Sequence, residues 1–264
     1  MKRLEGKIAL VTGGAGGIGA ATLRHMAREG ASVVIADIHD EPGEAVARDI
    51  ILDGGNAFYV HLDVSQEQDW VAAIEAAVQR YGGLDVLVNN AGIYLAKGCE
   101  EASFSDWQKI CSVNLTGVFL GTKLALPALR ERARLSSQGS AIVNMSSTVG
   151  LKGSMVDPLY SMTKGGITTF TKSTAIEFGN KGYRIRVNSV HPGAVETEMA
   201  AQHRKADVND PRAVEAARQA IAASLPIKRV AMPADIASAV VFLASDESGF
   251  MTGSSLVIDG GAMA

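Results

Sequence analysis

The chain has 264 residues, 47% of them hydrophobic and 20% charged, enough apolar surface to bury a two-sided sheet within one domain of ordinary size. A net charge of -3 gives no electrostatic case for nucleic acid or an acidic membrane surface as partner. The two cysteines, Cys99 and Cys111, suggest neither a disulfide framework nor a metal cluster, and His25, His39, His61 and His203 are scattered without metal-ligand spacing, so no metal is expected. Met1 to Lys7 run into a strand with no secretion-signal apolar stretch, and no apolar run approaches the roughly 18 residues of a spanning helix; a cytoplasmic location is the expectation.

Ile8-Ala9-Leu10-Val11 reads as a buried parallel strand. It leads into Thr12-Gly13-Gly14-Ala15-Gly16-Gly17-Ile18-Gly19, and a helical pattern follows from about Ala20 to Glu29, ending at Gly30. Val33 to Asp37 is a second strand that ends in an acid. This is a βαβ unit with a glycine-rich first turn. Glycines there let the backbone approach a pyrophosphate at a helix N-terminus. Asp37 can hold an adenosine ribose by its hydroxyls and would repel a 2′-phosphate; no Arg or Lys stands at Gly14 or Ile38 to welcome one, which favours NAD over NADP. The spacing is T-G-x-x-x-G-x-G, through Thr12, Gly13, Gly17 and Gly19, rather than the commoner G-x-G-x-x-G.

The alternation continues. Helices are predicted over about Glu41 to Leu52, Gln66 to Tyr81, Phe104 to Arg132 (with Asn114 in its middle), Pro158 to Phe178 and Pro211 to Ala223. Strands are predicted at Ala57–Leu62, Leu84–Val88, Ser140–Met145, Ile185–Val190 and Ser255–Ile258. Strand, helix, strand throughout implies a parallel sheet covered on both faces, without linker, repeat or second domain. Gly13, Asp37, Asp63, Asn90, Ser147 and Pro192 all fall just after strand C-termini, the edge along which such sheets bind ligands.

Tyr160 and Lys164 are four apart, which puts both on one face of a helix. A cation beside a phenol stabilises the phenolate, so the tyrosine pKa should fall from its ordinary value of about 10. Such a tyrosine exchanges protons in the neutral range, and Ser147 could hold the oxygen being protonated. Ser146 is the competing hydroxyl; neighbours at a strand end point opposite ways. No G-x-S-x-G elbow surrounds Ser147, which argues against a serine hydrolase.

In the order and spacing of T-G-x-x-x-G-x-G, Asn89-Asn90-Ala91-Gly92, Asn114, Ser147, Tyr160-x-x-x-Lys164 and Pro192-Gly193, the chain resembles the short-chain dehydrogenase/reductase family over nearly its whole length. The resemblance implies a single Rossmann-type, doubly wound domain spanning residues 1–264, with about seven parallel strands. It also implies hydride transfer between a nicotinamide and a carbonyl or alcohol carbon. Tyr160 would be the general acid/base. Lys164 would hold the nicotinamide ribose and acidify Tyr160. Ser147 would hydrogen-bond the substrate oxygen, and Asn114 would anchor a water leading to the lysine. Gly13, Gly17, Ile18, Gly19, Asp37 and Ile38 would line the pyrophosphate and adenosine ribose, with Asp63 and Val64 beside the adenine. Asn90, Ala91 and Gly92 would lie along the ribose, and Pro192, Gly193, Val195 and Thr197 along the carboxamide and pyrophosphate. His191 is not needed as a catalyst, since Tyr160 supplies the proton chemistry.

The family also implies a substrate lid at about 194–225 and a homotetramer paired through the Asn114 and Tyr160 helices, with Val118, Leu124, Ile167 and Phe170 as outward apolar positions. Tyr94, Thr148, Gly150, Gly153, Met155 and Met199 are candidate pocket neighbours, mostly small or apolar with no cation to clamp an acid; a neutral secondary alcohol or ketone fits best. The stretch from Ile185 to Gly193 and the run from Phe242 to Ser248 resemble those of bacterial hydroxysteroid and cyclic-alcohol dehydrogenases. An NADP-dependent ketone reductase and, in another class, a non-catalytic redox sensor are the competing readings; the intact Ser147, Tyr160, Lys164 set disfavours the sensor.

Overall fold

The computed structural model describes residues 2–154, 156–202 and 210–264. Seven strands form one parallel sheet: β1 (Ile8–Thr12), β2 (Ser32–Asp37), β3 (Asn56–His61), β4 (Val86–Asn89), β5 (Ser140–Met145), β6 (Ile185–Pro192) and β7 (Ser255–Ile258). Their order is β3-β2-β1-β4-β5-β6-β7, in register through pairs such as Val11 with Ile35 and Val88, and Val143 with Asn188. The order reverses direction at β1 and β4, the place where an open α/β sheet leaves a crevice at its strand C-termini.

Helices follow the strands: α1 (Gly17–Arg28), α2 (Asp40–Leu52), α3 (Glu67–Tyr81), α4 (Phe104–Cys111), α5 (Gly117–Leu135), α6 (Pro158–Asn180), α7 (Glu198–Gln202), α8 (Pro211–Ser224) and α9 (Pro233–Ala244). Strand side chains alternate between two cores. Ala9, Val11, Val33, Ile35, Val88 and Val143 pack with Leu23 and Met26 of α1, Ile50 of α2 and Val240 of α9. Ile8, Leu10, Val34, Leu87, Ile142 and Val187 pack with Trp70 of α3, Leu129 of α5 and Phe178 of α6.

Three departures from the sequence reading are physical. The helix predicted from Phe104 to Arg132 is broken: Ser112–Thr116 is a turn of π-helix between α4 and α5, and Asn114 is its buried member. The extra residue re-aims that side chain, a use to which π-turns are put at functional sites. α9 is missing from the predicted elements, although Pro233 at its first turn, Asp235 two residues on and the apolar run after them signal it; its uniformly apolar sequence reflects burial against α1 and β5. Finally, the helical run Phe104–Leu135 is long and apolar enough, by length and composition alone, to cross a membrane, contrary to the expectation that no such run exists. Of its apolar window 44% is buried within the protein, where α5 packs on α3, β4 and β5.

Of the expected outward apolar positions, Val118 and Ile167 are buried instead, while Leu124 and Phe170 are half-buried. The exposed large apolar residues of these helices are Phe104, Trp107, Phe119, Leu135, Met162 and Ile176.

Candidate active site

The glycine turn is built from backbone and held from behind. Gly13 has φ +64, a left-handed conformation, and a Cβ there would lie 2.9 Å from Ala91 Cα. A Cβ on Gly19 would run into the Gly13 carbonyl oxygen, so α1 abuts the turn only because residue 19 is glycine. Thr12 Oγ1 accepts from the N–H groups of Asn90 and Ala91, each at 3.0 Å, and Asn90 Nδ2 donates to the carbonyls of Thr12 (2.9 Å) and Gly13 (3.1 Å). Asn90 thus braces the turn with its side chain. The N-terminus of α1 has Gly16 as cap, no side-chain cap and no acid in its first turn, so no carboxylate of the helix itself opposes an anion.

Asp37, buried at the end of β2, accepts from Ala15 N–H on Oδ2 (3.0 Å) and from His39 N–H on Oδ1 (3.0 Å), with His39 Nδ1 at 2.9 Å. A carboxylate has about four acceptor positions, so capacity is left for a ribose hydroxyl. Ile38 beside it is 51% exposed, an apolar surface open to a flat ring. Asp63 accepts from Ser65 N–H and Oγ at 2.9 and 2.8 Å, and Val64 is buried with its carbonyl on Trp70 Nε1. On the opposite wall Val195 bridges to Ala231, and Thr197 caps α7 through Ala200 N–H (3.1 Å) while its methyl lies over Gly17. A groove of about 770 Å³ opens there, lined among others by Gly16, Gly17, Thr197 and Pro233; it runs along the outer side of α1 and does not include Ser147 or Tyr160. An uncapped helix end, glycines a side chain would block and an acid at the next strand end together fit a dinucleotide.

The second half of the site lies across β4 to β6. Lys164 on α6 is 3% exposed and its Nζ donates to the Met145 carbonyl at 2.8 Å. Asn114 Oδ1 accepts from Ile93 N–H (2.8 Å), and its Nδ2 donates to the Ile93 carbonyl (2.9 Å) and Thr163 Oγ1 (3.1 Å). A Cβ on Gly92 would sit 3.3 Å from Asn114 Oδ1 and 3.4 Å from Lys164 Nζ, so the glycine brings the Asn89–Gly92 segment down between them. Ser146 and Ser147 point apart as the strand pleat requires. Ser146 Oγ is buried on the Lys164 carbonyl, whereas Ser147 Oγ is held loosely, 3.3 Å from Val149 N–H and 3.5 Å from the Pro192 carbonyl. Lys164 Nζ is 5.3 Å from the centre of the Tyr160 ring, and Tyr94 stands edge-on to that ring at 5.0 Å.

The electrostatics correct the expectation of an acidified phenol. Burial pushes Tyr160 well above the ordinary phenol range, and Tyr94 and Asp157 push it the same way. Burial also brings Lys164 down to about 8, which weakens the very cation meant to acidify its neighbour. Desolvation is the largest influence on both groups, and the Lys164 ammonium is committed to the Met145 carbonyl.

His191 is fully buried, with Nδ1 3.0 Å from the Ser147 carbonyl and Nε2 2.8 Å from Ser189 Oγ. A carbonyl only accepts, so Nδ1 carries the proton; burial lowers the imidazole pKa and keeps the ring neutral. It props Ser147 from behind. Among the candidate pocket neighbours, Gly150 packs on the Lys164 backbone, Thr148 is buried, Gly153 is open on its Cβ side and Met199 is 38% exposed. Met155 and His203 lie outside the described residues. Among the described residues no group of three or more metal-ligating side chains comes together. One residue absent from the sequence reading is Asp157, fully buried at the start of α6; the Asp-Pro step before a helix is the signal that could have found it.

Comparison with known proteins decides the family. A family model described as enoyl-(acyl carrier protein) reductase matches residues 13–263. A crystal structure titled short-chain dehydrogenase/reductase SDR:glucose/ribitol dehydrogenase, from Brucella melitensis, superposes with a TM-score of 0.87 at 32% identity, covering 100% of both chains. The chain belongs to the short-chain dehydrogenase/reductase family. Members similar to it include the 3-alpha-(or 20-beta)-hydroxysteroid dehydrogenase of Mycobacterium tuberculosis, 44% identical over 99% of this chain and 91% of that one. The trans-4-hydroxycyclohexanecarboxylate dehydrogenase of Sinomonas cyclohexanicum is 40% identical over 99% and 95% of the two chains. The cyclopentanol dehydrogenase of Comamonas testosteroni is 39% identical over 99% and 98%. As a short-chain dehydrogenase/reductase the protein is an oxidoreductase that works with a nicotinamide cofactor.

Proposed function

We propose that the protein is an NAD-dependent dehydrogenase of neutral, largely apolar cyclic secondary alcohols, with the hydroxysteroids and simple ring alcohols as the favoured substrates. The observation that carries the reading is that the Asn90–Gly92 segment, which packs on the glycine turn, also lies against Lys164, whose ammonium is 5.3 Å from the Tyr160 ring. The relatives' names support cyclic alcohols as the substrate class: they name hydroxysteroids, a hydroxycyclohexanecarboxylate and cyclopentanol, of which the carboxylate alone is charged. Preference for NAD rests on Asp37, a buried acid that would repel a 2′-phosphate, with His39 as its only side-chain partner among the described residues.

When bound, NAD⁺ supplies a hydride acceptor and a positive charge on its ring. Tyr160 takes the proton from the alcohol oxygen, and Ser147 donates a hydrogen bond to that oxygen as charge builds on it. Lys164, already desolvated and held by the Met145 carbonyl, is placed to hold the nicotinamide ribose and, with the ring charge, to bring the raised phenol back toward working pH. The exposed Phe104, Trp107, Phe119, Met162 and Ile176 support assembly through the α4, α5 and α6 faces, in keeping with a homotetramer. Residues 194–225, which include α7 and α8, would form the substrate lid; 203–209 among them lie outside the described residues.

The test is a panel of cyclopentanol, cyclohexanol, 3α- and 20β-hydroxysteroids, sugars and an enoyl thioester, each followed by nicotinamide absorbance with NAD and NADP in parallel. Turnover of ring alcohols with NAD is expected. Turnover confined to sugars or the enoyl thioester, or to NADP, would overturn it.

A further inference from the structure

Asp157 sits between two parts of the site that the chain separates by some 60 residues. It is fully buried. Its Oδ1 accepts from Tyr160 N–H at 2.8 Å, capping α6, and its Oδ2 accepts from Leu95 N–H at 3.0 Å and Ala96 N–H at 2.9 Å. All three partners are donors, so no hydrogen-bond partner calls for a proton on the carboxyl. The loop it holds is costly to form: Ala96 has φ +55, a left-handed conformation that a non-glycine residue adopts only when its surroundings enforce it. That loop carries Tyr94, whose ring packs edge-on against Tyr160 at 5.0 Å. Helix start, strained loop and aromatic pair therefore share one anchor.

We propose that Asp157 is a positioning residue for the reaction: its single buried carboxyl group caps the helix that carries Tyr160 and clamps the loop that holds Tyr94 against the Tyr160 ring. The titratable groups that face Tyr160 are Tyr94 from the loop and Asp157 and Lys164 from its own helix. Burial is the largest influence against ionisation of Tyr160 and of Tyr94, and Asp157 adds to it at both. With the loop released, the Tyr160 ring would lose part of the enclosure that raises its phenol. The inference rests on Tyr160 as the acid/base of the proposed function.

The test reads the phenol directly, apart from turnover. All five tyrosines are replaced by 3,5-difluorotyrosine, whose phenol is more acidic, and titrated by ¹⁹F NMR in the full-length protein, with Tyr160 assigned through Tyr160→Phe. In Asp157→Asn, and in Asp157→Ser, which keeps a capping oxygen without the charge, the Tyr160 midpoint should fall by roughly half a unit or more. Tyr94 should move the same way, and Tyr59 and Tyr183 should stay put. Steady-state kinetics with cyclopentanol should show the acid limb of kcat/KM moving to lower pH and KM rising severalfold as the Tyr94 loop loosens. An unmoved or raised Tyr160 midpoint overturns the proposal, as does a lowered melting temperature with unchanged pH profile and KM. If neither variant folds, the wild-type amides of Leu95 and Ala96 decide: slow hydrogen exchange supports the clamp and fast exchange ends it. A shifted midpoint without alcohol turnover would leave the inference standing while removing the proposed function.

Discussion

At the Thr12–Gly19 turn the protein presents main chain, whereas at Ser147, Tyr160 and Lys164 it presents side chains that are themselves largely withdrawn from water. The first region needs absence: a Cβ at Gly13 or Gly19 has nowhere to go, and the helix end behind them carries no cap. The second needs presence in a low-dielectric place, and every group there needs a partner: Lys164 on Met145, Asn114 on Ile93 and Thr163, Asp157 on three backbone amides. Backbone that meets an anion costs little to hold ready. Buried titratable side chains cost stability and shift in pKa, which is how a phenol and an ammonium become responsive to a charged ligand.

Four substitutions press on that contrast. Tyr160→Phe should leave the turn intact, so cofactor affinity measured by fluorescence titration stays near that of wild type while kcat falls by roughly 10²–10⁴-fold; near-normal turnover would remove the phenol from the chemistry. Lys164→Met tests whether the catalytic half is held at a cost. Burial lowers Lys164 from 10.5 to about 8, so between those values the unfolded chain binds more protons than the folded one. Wild-type stability should therefore rise with pH across that window, by about 2–3 kcal/mol, and the variant should lack the rise. Denaturant melts of both proteins at pH 7.5 and 10 read this, and parallel pH trends would count against a buried, half-neutralised lysine. Gly19→Ala should do the reverse of Tyr160→Phe: loss of cofactor binding, together with about 1–3 kcal/mol of stability, from the clash with the Gly13 carbonyl. Calorimetry that found unchanged cofactor affinity would show that the turn tolerates a side chain. The smallest effect belongs to Asp37→Ala, which should cut the preference for NAD over NADP by roughly tenfold in equilibrium binding; an unaltered ratio would move discrimination elsewhere.

How legible each half was follows from the same contrast. The turn could be read directly because glycines, an apolar strand before them and an acid after the next strand are local signals. Ser147 could be told from Ser146 by spacing and strand pleat, and the structure sends the two hydroxyls to opposite sides. What escaped was whatever depended on distant partners. The π-turn at Asn114 has no local breaker; it forms where Ile93 and Thr163 capture the side chain. Val118 and Ile167 were expected to point outward and are buried, because which apolar stripe of a long helix faces the sheet depends on neighbouring helices. Tyr160 was expected to be acidified by its neighbour four residues on, and burial reverses the sign.

The sequence by itself determined the alternation of strands and helices, the ligand edge and Tyr160 as the candidate proton donor, because each is written in short periodic or conformationally restricted stretches. Tertiary structure alone decided the electrostatic state of that donor and the groups that steady it. A pKa answers to how much water and which charges surround a group, and here those come from Tyr94, Asp157 and Met145, brought together only when loop, helix and sheet pack.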